Sequence, residues 1–118
     1  MKIANFNILS PATSTAIPYT SVSFYVSTIS DYSVHLAYIT TNLTCKLQVS
    51  NDMGKPLGQS FTDEGVVNWT DLTGSVVVDS SNGTIMYDVA ECTYRWVRIV
   101  VIGSGTITSA RINLRSGT

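Results

Sequence analysis

The feature that most constrains this chain is a two-residue alternation that begins at Val22 and is repeatedly cut short. Val22, Phe24, Val26 and Thr28 alternate with serine and tyrosine, and Val34, Leu36, Tyr38 and Thr40 repeat the pattern with His35 and Ala37 on the other side. Cys45, Leu47 and Val49 then alternate with Lys46, Gln48 and Ser50. Successive strand side chains point to opposite faces, so each run predicts a strand with one buried face. Further runs rich in β-branched and aromatic residues cover 76–80, 84–89, 93–102 and 106–114. No stretch holds a period of about 3.6, and Gly, Pro, Asn and Thr punctuate every long segment, which excludes helices of ordinary length. Short strands at regular spacing predict an all-β, antiparallel β-sandwich of jelly-roll type. Ser81-Asn82-Gly83 and Gly103-Ser104-Gly105 read as its hairpin turns.

The 118 residues suffice for one domain with a core that needs no metal or disulfide. Residues 21–118 read as the sandwich. Residues 1–20 stand apart, because SPATSTAIPYT is rich in Ser, Thr and Ala, carries Pro11 and Pro18, and alternates weakly. They read as an extended N-terminal arm, which either frays or lies over a neighbouring subunit.

Charged residues are 13% of the chain, about half the usual quarter, and Ser, Thr and Asn take their place. Such a surface resists association poorly and suits a protein packed against copies of itself or a larger partner. A net charge of −1 gives no basis for nucleic-acid binding. Arg95, Arg98, Arg111 and Arg115 come close together only if antiparallel neighbours gather them, and solvated or ion-paired arginines are the plainer reading. Met1-Lys2 precedes Ile-Ala-Asn-Phe-Asn rather than an apolar signal region, and the apolar run at 99–102 is too short to span a bilayer. The expectation is a chain made and folded in a cytoplasm, without a membrane partner. Cys45 and Cys92 then read as reduced thiols, and the three Asn-x-Thr sequons at Asn42, Asn68 and Asn82 as coincidence.

No nucleophile, metal or nucleotide motif occurs, and the sequence predicts neither an enzyme nor a cofactor. His35 stands mid-strand without a second histidine nearby and reads as a hydrogen-bonded structural residue. Most acidic residues fall at turns, where Asp bonds the backbone. Asp52, Asp63 and Glu64 share one loop and offer oxygen ligands, but their spacing fits no calcium motif. Trp96 sits in an apolar strand and reads as a core or subunit contact. Trp69 also reads first as core, with a sugar-stacking platform as the alternative. Candidate ligand or partner contacts are therefore Trp69 or Tyr32 as the aromatic, Asn68 and Asp71 beside Trp69, and Asp52 where the long loop of residues 53–68 departs.

LQVSND (47–52), VNWTDL (67–72) and TYRWVRIVVI (93–102) together resemble the discoidin-type jelly-roll family. In that family a strand ending in Ser-x-Asp-Gly leads to a tryptophan, and a later strand reads Arg-Tyr-Val-Arg-Ile. The same pieces, followed by a Ser-Gly-Thr turn, also look like small virion proteins of tailed bacteriophages. This chain departs from the discoidin pattern after Asn51-Asp52, where the segment MGKPLGQSFTDEGVVN delays the tryptophan and reads as a projecting loop. The resemblance implies a non-enzymatic virion protein that decorates or cements a capsid through its arm and sandwich edges. Its partners would be the major capsid protein or other virion proteins and further copies of itself, a trimer being the expected state. A carbohydrate-binding module of a fibre or adhesin is the alternative, with a glycan as partner.

Overall fold

The computed structural model describes residues 2–58 and 60–116, and among them it holds strands and turns but no helix. The all-β antiparallel prediction is met by a sheet of four lanes. Its two inner lanes are single long strands, β5 (Asp31–Ser50) and β11 (Trp96–Ser116), paired from Arg115↔Asp31 to Trp96↔Ser50. The lane outside β11 is assembled from β1 (Lys2–Asn7), β2 (Thr15–Ala16), β3 (Tyr19–Thr20) and β4 (Phe24–Tyr25). The lane outside β5 consists of β8 (Thr70–Asp71), β9 (Val77–Asp79) and β10 (Gly83–Val89). A separate hairpin pairs β6 (Lys55–Leu57) with β7 (Ser60–Thr62).

A straight strand of twenty residues would be about 66 Å long, whereas the longest dimension of the molecule is 42 Å. The lanes therefore bend. Register shifts fall between Ser104 and Thr106 and between Ile107 and Ser109, placing an extra residue first in β5 and then in β11. Such bulges bend a strand and sharpen its twist. Gly103 and Gly105 have φ of 119° and 123°, and a Cβ on them would lie 2.1 Å from the Asn42 carbonyl oxygen and 2.2 Å from that of Ile39. Only glycine lets the two bent backbones approach this closely.

Thr40 fastens the corner across three lanes. Its hydroxyl donates to the Ser104 carbonyl (2.5 Å) and accepts from the Asn42 amide (3.0 Å), while its own amide donates to Asn82 Oδ1 (3.0 Å). Beside it, the Tyr38 hydroxyl donates to Asp79, whose other oxygen accepts from the Ser80 and Ser81 amides. Partial burial, followed by this carboxylate, raises the Tyr38 hydroxyl to about 12.

The corner corrects two expectations. Ser81-Asn82-Gly83 does not reverse the chain, because β9 and β10 both run antiparallel to β5, one on each side of the bend. Gly103-Ser104-Gly105 likewise lies within β11. A tight reversal of the Asn-Gly kind needs positive φ at both central residues, and neither Asn82, Ser104 nor Gly83 has it.

The bend doubles the sheet, so that one core takes side chains from both halves. Tyr32, Val34, Leu36 and Ile112 from the first half meet Leu43, Cys45, Leu47, Ile99 and Val101 from the second. We refer to the half carrying residues 31–39 of β5 as sheet I and the half carrying residues 43–50 as sheet II. The inward parity of Val34, Leu36, Tyr38 and Thr40, and of Cys45 and Leu47, is as predicted. Cys45 and Cys92 are free thiols.

Residues 2–20 do not form the expected extended arm. They run beside β11, with Asn7 opposite Arg111, Ala16 opposite Thr106 and Thr20 opposite Val100. Ile8, Leu9 and Ile17 enter the core, and the Ile8 and Ile17 amides donate to the carbonyls of Ala110 and Gly105. Burial of three large aliphatic side chains contributes several kcal/mol, about 1.5–3 each, which ties the segment down.

Candidate functional site

The segment between Asp52 and Trp69 is anchored at its base and through Phe61, while Lys55–Leu57 stay exposed. Asp52 closes its base: one carboxylate oxygen accepts from the amides of Val67 (2.8 Å) and Asn68 (2.9 Å), and the other from Asn68 Nδ2 (3.0 Å). These donors, the Asn68 side chain foremost, hold the Asp52 carboxyl below its ordinary range. The β6–β7 hairpin then lies over sheet II, where Phe61 stacks on Tyr25 at 5.2 Å and Tyr25 meets Trp96 edge-on at 5.0 Å. Gly54 takes a φ of 77° there, and a Cβ on it would come within 2.9 Å of the Trp96 ring. Trp96 is thus buried, but beneath this flap on the outer side of the sheet and not within the main core.

Trp69 follows on the same outer face. Strand alternation turns Asn68 and Thr70 toward one side and Trp69 and Asp71 toward the other. Arg98 lies over the Trp69 ring at 4.2 Å and donates through Nε to Gln48 (2.9 Å). Gln48 donates to Asp71 (3.1 Å), which also takes Lys46 Nζ at 3.0 Å. Gln48 first and Lys46 second hold the Asp71 carboxyl below its ordinary range. The outcome is a closed polar chain, Trp69–Arg98–Gln48–Asp71–Lys46, with a half-buried indole at its end.

Asn68 and Asp52 instead line a crevice of about 350 Å³ with Ser50, Asn51, Thr93 and Tyr94, at the end of the sandwich. A second hollow of about 400 Å³ adjoins it and includes Ser27, Cys92 and Arg95. The predicted contacts thus divide between two surfaces. Tyr32 belongs to neither: it is fully buried, and its hydroxyl is hydrogen bonded to that of Tyr94 at 2.5 Å. Its strand parity with Val34 and Leu36 places it in the core and removes it as a ligand platform.

Of the other two carboxylates of this loop, Glu64 pairs with Lys55 at 3.4 Å and Asp63 is exposed. Among the described residues no group of three His, Cys, Asp or Glu side chains is placed to hold a metal. No helix among them is long and apolar enough to cross a membrane.

The outer face of sheet I carries a third feature, which sequence reasoning missed. Asn5, Asn113 and Ser33 form one row across β1, β11 and β5, and Arg111 and His35 stand opposite one another in the next. These five line a shallow depression of about 180 Å³. His35 is exposed there and its imidazole makes no hydrogen bond with the described residues, contrary to the structural role expected of it. The four late arginines are dispersed: Arg111 and Arg115 lie on sheet I, Arg98 on sheet II and Arg95 at the end of the sandwich.

Comparison of the chain with protein-family models, with curated proteins and with solved structures yields no match.

Proposed function

We propose that the protein is a non-enzymatic structural component of a virion, of the small decoration or cement type that its strand motifs resemble, and that it attaches through the outer side of sheet II and the open edges of sheet I. The observation that carries this reading is an uncovered apolar patch. Ile102, Thr44 and Val78 are neighbours across three lanes, with Val78 72% and Ile102 49% exposed. Val76, two residues before Val78, and Val22 are exposed as well. Contiguous exposed β-branched side chains on a sheet face mark an interaction surface in a soluble domain. The outer edges of β1 and β10 have no strand partner among the described residues and offer backbone groups for pairing. The N-terminal segment takes part not as a free arm but through the edge of β1, since it is held along β11.

In this reading the patch packs on the capsid shell and the edges meet further copies, with the trimer as the working state. The test combines sedimentation of the purified chain with binding to capsids that lack it. We expect a multimer, and binding weakened more than about tenfold by Val78→Asp or Ile102→Asp. A monomer that ignores such capsids overturns the proposal.

A second reading, a carbohydrate-binding module, is supported by the half-buried Trp69 indole with Arg98, Gln48 and Asp71 beside it. An aromatic plate flanked by fixed polar groups suits a sugar ring. Glycan-array binding that disappears in Trp69→Ala favours it over capsid attachment, and an array without hits removes it.

A further inference from the structure

The depression on sheet I differs from the polar chain on sheet II and from the carboxylates at the loop base and the corner. Asp52, Asp71, Asp79, Gln48, Arg98 and Lys46 each bond another group of the chain. The side chains of Asn5, Ser33, His35, Arg111 and Asn113 bond none among the described residues, although β1, β5 and β11 bring them together around one hollow. Their chemistry is biased toward donation. A guanidinium offers only N–H groups, an imidazole at least one, and a serine hydroxyl and a primary amide one or two. The Asn113 Oδ1 atom is enclosed against the sheet without a partner, so this amide has only its nitrogen to offer a ligand. No carboxylate is among the lining residues.

From this we infer that the outer face of sheet I binds an oxyanion, with Arg111 as the principal contact and His35, Asn113, Asn5 and Ser33 as further donors. A planar guanidinium matches carboxylate, sulfate and phosphate oxygens in a forked geometry. The neighbouring charges fit this assignment. Arg115 is engaged by Asp31 at 3.6 Å one row away, which leaves Arg111 as the cation facing the hollow. Asp88 borders the site from β10 opposite Ser33, and Met86 opposite His35, while Asp31 borders it one row along β5 as the partner of Arg115, so the bordering carboxylates restrict the anion to the side of β1 and Arg111. A hollow of about 180 Å³ is smaller than a drug-sized pocket and takes a single anion or one acidic sugar unit. The site is independent of the sheet II patch and of Trp69.

Amide chemical-shift titration of the intact chain tests this with three probes: sodium sulfate, sodium glucuronate and uncharged glucose. Saturable shifts centred on residues 5, 33–35 and 111–113 are expected with an anion and none with glucose. Sulfate and glucuronate saturating alike assigns the site to the anion itself, and glucuronate binding more than about tenfold tighter assigns it to an acidic sugar. Arg111→Gln should weaken binding at least tenfold, Ser33→Asp should abolish it, and Asp88→Asn should strengthen it. Lys55→Gln, which removes a positive charge from the distant hairpin, should leave it unchanged. Signal dispersion in the same spectra reports that each variant is folded. Shifts that never saturate, equal losses in Arg111→Gln and Lys55→Gln, or undiminished binding in both Arg111→Gln and Ser33→Asp would each overturn the assignment.

Discussion

The two outer faces of the doubled sheet are built from the same four lanes, yet they treat their polar side chains in opposite ways. On sheet II, Lys46, Asp71, Gln48 and Arg98 form a connected chain that ends on the Trp69 ring. Its apolar neighbours Val76, Val78 and Ile102 are left uncovered. On sheet I, arginine, histidine, serine and two asparagines share a hollow and leave one another unbonded. A face whose polar groups satisfy each other presents what remains, here apolar surface. A face whose donors are unpaired presents those donors. The same β framework therefore carries one surface suited to packing and another suited to a small polar ligand.

The largest way to break this contrast is at the corner, because it creates both faces. Gly105→Ala drives a Cβ into the Ile39 carbonyl at 2.2 Å and should cost about 3 kcal/mol or more, read by denaturant unfolding. Both faces should lose their function together. Thr40→Val keeps the shape but removes the hydroxyl that serves Ser104 and Asn42, and should cost about 1–3 kcal/mol. On sheet II, Arg98→Ala removes the contact over Trp69 and the bond to Gln48, for a loss of about 1 kcal/mol. Tryptophan fluorescence should report the change at Trp69.

Acid acts at the corner, the loop base and sheet II. Asp52, Asp71 and Asp79 are held below the ordinary value of 3.8 by their hydrogen bonds. The stability they contribute is complete above that value and is lost as pH falls through their lower folded values. The melting temperature should therefore drop below about pH 4, and Asp71→Asn combined with Asp79→Asn should flatten the drop. The smallest effect belongs to sheet I. Arg111→Gln removes no bond made within the described residues and should change stability by no more than about 0.5 kcal/mol. A larger loss in the absence of any anion would show that Arg111 is part of the scaffold, and the contrast between the faces would fail.

The strands were largely legible in the sequence, since a period of two with one apolar face dictates both strand and buried side. What could not be read was the destination of each strand. Gly103-Ser104-Gly105 and Ser81-Asn82-Gly83 loosen the backbone, and a loosened strand can reverse or bend. The choice is made by Thr40 and the facing backbone of β5, which lie far away in sequence. Residues 2–20 hid for a related reason: an edge lane in pieces of two residues, broken by prolines, shows no sustained alternation. Of the candidate contacts, Tyr32 was recoverable as core from its parity with Val34. The joining of Asn5 to Asn113 and of His35 to Arg111 was not recoverable, because it requires knowing that β11 lies between β1 and β5.

That placement of β11 also orders events in time. The strand nearest the C-terminus is the one on which both neighbouring lanes depend, and 45 residues separate the end of β5 from its start. Until Trp96–Ser116 has been made, β1 to β4 have no strand to pair with and β5 has only its outer lane. Pairings this distant along the chain are slow to form, because loop closure must come before any contact rewards it. The pieces beside Ile8, Leu9 and Ile17 consequently wait for β11 before they can pair, and the two outer lanes are joined into one sheet only by that strand.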